Sequence, residues 1–106
     1  MAELKLTIDG KVQKFQKKQF FIKENILALQ FSMKQEKYLK LEEPEIEDIE
    51  KNQLNFAEFM SEVFEKQFTP EEFINGCLIE DKDIAEDIYI QCLGGNSEDK
   101  EKKGKK

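Results

Sequence analysis

The chain has 106 residues, with 17 basic and 23 acidic side chains and a net charge of −6, and every basic residue is Lys. The absence of His and Arg removes imidazole catalysis, His-ligated zinc and the guanidinium fork that reads carboxylates, phosphates and guanine edges. One small domain fits this length, and a hydrophobic fraction of 39% with nine Phe supports a single core.

The charge is graded along the chain. Residues 1–40 hold nine Lys and four acids, residues 41–96 three Lys and sixteen acids, and residues 97–106 five Lys and three acids. A basic front and an acidic back favour head-to-tail self-association or a basic partner, while charges that simply face water would also account for it. Cys77 and Cys92 fit neither CxxC chemistry nor a zinc pair and are expected as buried free thiols. The opening Met-Ala-Glu-Leu-Lys has no apolar signal region and no apolar run suits a membrane span. A soluble, intracellular protein is expected.

Residues 3–15 read as a β-hairpin, with Leu4, Leu6 and Ile8 alternating before Asp9-Gly10 and Val12 and Phe15 after it. A two-residue loop would pair Ile8 with Lys11 and Leu4 with Phe15, and a three-residue loop would pair Leu6 with Val12. Both registers stay open. A lone hairpin is marginal in water, so it must lie on a helix or on another chain's strand. After the polar break at 16–19, a helix is predicted over about 23–40. Its stripe is Ile22, Ile26, Leu29 and Met33, widened by Leu27, Phe31, Tyr38 and Leu41.

The acid-rich run around Pro44 reads as a linker or helix start. A second helix is predicted over 46–67, with Ile46, Ile49, Gln53, Leu54, Ala57, Met60, Val63 and Phe64 on its stripe and Phe56 and Phe59 beside it. The third, over 70–79, has the best-marked start: Thr69 as N-cap, Pro70 at N1, Glu72 at N3, and Phe68 and Phe73 as a staple. Losing the Thr69 cap should cost about 1 kcal/mol. Phe73, Ile74, Cys77 and Leu78 form its predicted buried face. Gly76 means that this helix ends there or that another backbone packs close. A last helix over about 83–93, capped by Asp81 or Asp83, buries Ile84, Ile88 and Cys92 and ends at Gly94-Gly95. Residues 96–106 lack apolar side chains and read as a disordered tail. The fold class is α+β, mostly α: one domain over 1–95, an N-terminal hairpin followed by about four helices in a small bundle.

No Gly-rich phosphate loop, nucleophile elbow or calcium loop is present. The body is acidic, opposite to a nucleic-acid binder. An enzyme is not expected, nor a cofactor, a metal site, a nucleic-acid partner or a membrane partner.

Four segments together resemble the small tail assembly chaperones of long, non-contractile-tailed bacteriophages. They are Leu6-Thr7-Ile8-Asp9-Gly10-Lys11, similar to the family's T-I-N-G-K openings, the amphipathic run Phe56 to Phe64, the segment Gln67-Phe68-Thr69-Pro70-Glu71-Glu72-Phe73-Ile74-Asn75-Gly76, similar to Q-F-T-x-E-E-hydrophobic-x-x-G, and the terminal helix ending near Gly94-Gly95. The resemblance spans most of residues 4–95. It implies a morphogenesis protein of the host bacterial cytoplasm that is absent from the mature virion. Such a protein binds the tape-measure protein and keeps it soluble until the tail tube forms around it. Family members are often made in two lengths by ribosomal frameshifting, and the codons of Lys102-Lys103 and Lys105-Lys106 permit a slippery run. The client groove expected on this reading is lined by Phe56, Phe59, Met60, Val63 and Phe64, with Phe68 and Phe73 near its end. Many weak copies on one long client would gain by multivalency, and a homo-oligomer, stacked head-to-tail, is expected. The alternatives are a structural tail joining or completion protein retained in the virion and a generic acidic protein-interaction module.

Overall fold

The computed structural model describes residues 2–94; the tail expected at 96–106 lies outside them. Strands β1 (Ala2–Ile8) and β2 (Lys11–Lys17) form an antiparallel hairpin within the chain. Asp9 and Gly10 both have positive φ, 53° and 77°, which gives the mirror-image turn whose twist suits a two-residue loop. The register follows: Ile8 pairs with Lys11 and Leu4 with Phe15. Strand β2 runs past the expected end at 15 and takes in Gln16 and Lys17. Parity then buries Ala2, Leu4, Leu6, Phe15 and Lys17 on one face and turns Val12 outward.

Four helices follow: α1 (Ile22–Leu39), α2 (Ile46–Val63), α3 (Pro70–Gly76) and α4 (Lys82–Cys92), the last entered through a 3-10 turn at Ile79–Asp81. Helix α2 packs between α1 and α3, and α3 and α4 cover β1. The hairpin therefore rests on helices of its own chain.

The buried face of α1 differs from the predicted stripe. Ile22, Ile26, Leu29 and Met33 are exposed, and Glu24, Ala28 and Phe31 face the core. The helix carries two apolar faces nearly half a turn apart, and periodicity alone cannot choose between them. Phe31 wins because it joins the aromatic cluster, and Ala28 lets the neighbouring elements approach. Glu24 is fully buried on this face. One of its oxygens, Oε1, accepts the Phe21 N–H at 2.6 Å, closing the first turn of α1. The other, Oε2, lies 3.3 Å from Nζ of Lys17 on β2. This buried pair joins the hairpin to α1.

Helix α2 keeps to its predicted stripe only in its second half. Ala57, Phe59, Met60 and Val63 are buried, while Ile46, Ile49 and Leu54 are exposed. It also ends four residues before the expected 67. The Lys66 N–H bonds the Ser61 carbonyl at 2.8 Å and the Glu65 N–H bonds the Glu62 carbonyl at 3.0 Å, a Schellman ending. It places Glu65 and Lys66 at φ 56° and 62°, a conformation usually left to Gly. Ser61 Oγ, buried beneath, donates to the Phe68 carbonyl at 2.6 Å and pins the returning chain.

The start of α3 is as read from the sequence. The Glu72 N–H bonds Thr69 Oγ1 at 3.1 Å, the Thr69 N–H bonds Glu72 Oε1 at 2.8 Å, and the Phe68 and Phe73 rings lie 6.2 Å apart. Its end comes at Gly76 rather than 79, and both readings of that glycine hold. A Cβ there would lie 2.5 Å from the Thr7 carbonyl oxygen of β1. Of its predicted face only Phe73 is buried; Ile74, within α3, and Leu78, beyond its early end, are exposed. In α4, Ala85, Ile88 and Cys92 are buried and Ile84 is exposed. Asn25 Nδ2 donates to the Cys92 carbonyl at 2.9 Å, tying α1 to the end of α4.

Candidate client-binding site

The Phe-rich run of α2 folds as a helix because its large apolar residues recur at one-turn spacing and its acids occupy the first turn. That puts most of the predicted groove residues inside. Met60, Val63 and Phe64 are fully buried, Phe59, Phe68 and Phe73 nearly so, and Phe56 is half-buried. The structure brings all seven into one cluster of the core rather than along an open trough. A domain this small has few other groups with which to fill its centre.

The rings form a continuous network. Phe31 stacks on Phe59 with centroids 5.7 Å apart and planes 21° apart. Tyr89 of α4 meets both edge-on, at 5.3 and 5.5 Å. Phe56 bridges Phe31 and Phe73 at 5.3 and 5.8 Å. Phe68 carries the network on to Phe15 of the hairpin at 5.0 Å and to Phe64 at 5.5 Å. Such offset and edge contacts each add about 0.5–1.5 kcal/mol beyond area burial. A charge placed at Phe59 or Phe64 would therefore be buried and would test stability rather than binding.

An open groove of about 520 Å³ runs over the edge of this cluster, between α1 and α2 and up to the turn before α3. Phe31, Phe59 and Phe68 form its floor, with Leu27 along the α1 side. Gln30 and Lys34 line one wall, and Asn55, Glu58 and Glu62 the other. Lys66, also on the lining, pairs with Glu62 at 3.7 Å. The sequence points to Phe59 and Phe68 at this site, whereas Phe31 and Leu27 enter it only as residues that widen the α1 stripe. Their spacing of four on α1 was the signal available. The groove has walls of both charge signs and a floor of aromatic ring edges, since Phe31, Phe59 and Phe68 are each no more than 4% exposed. Nothing in it pairs a nucleophile with a base.

A second polar cluster lies just beyond the C-terminal end of α2. Glu65 Oε2 lies 2.9 Å from Lys23 Nζ and 3.4 Å from Lys17 Nζ. The hydrogen bonds from Lys23 and Lys17 hold the Glu65 carboxyl below its usual value, and Glu65 raises Lys23 in return. Burial, with the Glu24 carboxylate beside it, pushes the Cys92 thiol up to about 12. Burial also raises Cys77. Among the described residues, no group of His, Cys, Asp and Glu is placed to hold a metal ion, and no helix is long and apolar enough to cross a membrane.

No curated protein and no solved structure matches the chain. The sequence model of a family described as "Phage tail chaperone protein" matches it over residues 1–106. The chain belongs to this family of phage tail chaperones.

Proposed function

We propose that this tail chaperone binds the tape-measure protein of its phage in the host cytoplasm, keeps it soluble until the tail tube forms around it, and does not remain in the virion. The observation that supports this is the α1–α2 groove, an apolar floor of Phe31, Phe59 and Phe68 between charged walls. An amphipathic client helix would cover its apolar stripe there while the domain's charges keep the complex in water. Phe56, Met60, Val63, Phe64 and Phe73 act in this reading by bracing the floor from below. Each copy covers a short stretch, so many copies bind one long client, and their shared client raises the effective concentration of each. The basic residues 1–40 of one copy would meet the acidic residues 41–94 of the next, head to tail. A longer, frameshifted form belongs to the same reading, and an adenine-rich slippery run over the Lys102-Lys103 or Lys105-Lys106 codons would support it.

Co-expression with the tape-measure protein tests the role. The client should stay in the supernatant with the wild-type chain and pellet without it. Asn55→Trp and Gln30→Trp fill the groove from its walls, and should leave a folded protein that no longer holds the client in solution. A client equally soluble with these variants would remove the groove from the reading. Mass spectrometry of purified particles should find no copy of the chain, and its presence at stoichiometric level would favour a structural tail component.

A further inference from the structure

The groove between α1 and α2 does not end at Lys34 and Asn55. Both residues also line a second hollow of about 380 Å³ farther along the same two helices, with Lys37, Tyr38 and Leu41 on the α1 side and Asp48, Lys51 and Asn52 on α2. The two hollows make one trough along the α1–α2 seam. From Asp48 to Glu62 its α2 wall is roughly 21 Å long at helical rise. Half-buried Leu27 and Tyr38 and exposed Leu41 add apolar surface to the ring edges of the floor. The charges on the lining are sorted along its length. The half nearer the α1–α2 loop holds Lys34, Lys37 and Lys51, all exposed and none in an ion pair among the described residues. Its one carboxylate, Asp48, accepts the Glu45 N–H at 2.9 Å. The half nearer α3 holds Glu58, which is exposed and also unpaired among the described residues, and Glu62, which Lys66 meets at 3.7 Å. Three Lys against Asp48 leave the first half positive, and two Glu against Lys66 leave the second negative.

We propose that the trough takes an amphipathic helix of about four turns whose charges are sorted end to end, with carboxylates over Lys34, Lys37 and Lys51 and amines over Glu58 and Glu62. This rests on the reading of the groove as the client site and adds which segments it takes and which way round they lie. Each exposed ion pair is worth little, so the sum along the helix decides, and it fixes register and direction more than raw affinity. A helix lying the other way round meets like charge at both ends. A second copy of this chain offers no such helix. Its α2 exposes Ile46, Ile49 and Leu54, but carries Glu45 and Glu47 at its start and Glu58 and Glu62 towards its end, so one half would lie carboxylate on carboxylate. Its α1 exposes Ile22, Ile26, Leu29 and Met33, but both of its acids are engaged, Glu24 by burial and Glu36 by Lys40 at 3.6 Å, leaving nothing to meet the lysine half. Helices α3 and α4 are shorter than the trough. Residues 95–106 carry acids before lysines but no apolar side chain.

The test uses the full chain and a labelled, designed helix of about 14 residues, with Leu along one stripe, Glu beside it in the first half and Lys beside it in the second, read by fluorescence anisotropy. A twin of the same composition has Glu and Lys interleaved, and both are covalently stapled so that they are equally helical. The sorted helix should bind about tenfold more tightly than its twin and weaken as salt is raised. Lys34→Glu with Lys37→Glu and Lys51→Glu changes only exposed side chains, and should cost the sorted helix about tenfold or more with the circular dichroism spectrum unchanged. A nitroxide on the Glu end of the helix should broaden the amide signals around Lys37 and Lys51 most, and one on the Lys end those around Glu58 and Glu62. The same broadening from either end would overturn the proposal. Equal binding of the two helices, lost in Asn55→Trp, would overturn it and leave the groove reading standing. Binding that Asn55→Trp leaves intact, or no binding to the wild-type chain, would remove the groove reading as well. Sedimentation velocity on the chain alone supplies the last arm: an oligomer that Asn55→Trp reduces to monomer would put a second copy in the trough and would likewise overturn the proposal.

Discussion

Gly76→Ala tests how the hairpin is seated on the helices. The added methyl would lie 2.5 Å from the Thr7 carbonyl oxygen, 3.1 Å from its nitrogen and 3.2 Å from its carbonyl carbon. Ordinary contact begins near 3.4 Å, so α3 or β1 must move by about 0.9 Å. All three atoms are strand backbone, held by the pairing of Thr7 with Val12, and no side chain can swing aside. Overpacking of this kind costs about 1–3 kcal/mol. Ala recovers up to about 1 kcal/mol of helix propensity over Gly, less at the last residue of a helix. Gly76 is not among the glycines with positive φ, so backbone strain adds nothing. The net expectation is a loss of about 1–2 kcal/mol, or about 5–10 °C in Tm for a domain of this size. Urea and thermal unfolding followed by circular dichroism measure it. Asn75→Ala, one residue earlier and exposed, should stay within about 0.5 kcal/mol of wild type. Equal stability of Gly76→Ala and Asn75→Ala would refute the close approach of α3 to β1.

Three further outcomes follow from the buried charges and thiols. Lys17→Met leaves the buried Glu24 carboxylate with only the more distant Lys23 Nζ, at 3.9 Å, so it should destabilise in urea unfolding by somewhat less than the about 3–5 kcal/mol of a fully orphaned buried charge; adding Glu24→Gln should recover part of that loss. The Glu65 carboxyl is held below its usual value by Lys23 and Lys17, so its contribution is present above the unfolded carboxylate range, near pH 4.3, and is lost as pH falls through the lower folded value. The stability gap between wild type and Glu65→Gln should therefore be level near neutrality and close in acid, and a gap that widens in acid would contradict the ion pairs. With its thiol pushed up to about 12, Cys92 should resist iodoacetamide at neutral pH until the protein unfolds, whereas half-buried Cys77 should alkylate first.

What the sequence could reveal was decided by how local each determinant is. The Asp9-Gly10 turn and the Thr69–Glu72 capping box lie within a few residues, and both formed as their chemistry requires. The hairpin register was fixed by two positive φ angles rather than by hydrophobic pattern, since Val12 and Phe15 differ in parity and cannot share a face. The early end of α2 had no such local mark, because the chain turns left-handed at Glu65 and Lys66, not at a Gly. What holds Glu65 there is distant in sequence, namely Lys17 and Lys23.

The same distinction explains the site. Seven aromatic and aliphatic residues on and after α2 were legible as a cluster, but pattern alone does not say whether a cluster faces a client or the centre of its own domain. That depends on whether other elements cover it. Here α1, α3, α4 and the hairpin do, through Phe31, Phe73, Tyr89 and Phe15, leaving the edges of Phe59 and Phe68 to floor a groove with Phe31. Covering that cluster also settles α1, whose two apolar faces were equivalent on periodicity. Once Phe31 joins the aromatic network and Glu24 meets Lys17, Ile22, Ile26, Leu29 and Met33 must point outward. By fixing the inner face of α1, the buried Lys17–Glu24 pair also fixes which apolar residues of that helix stay at the surface.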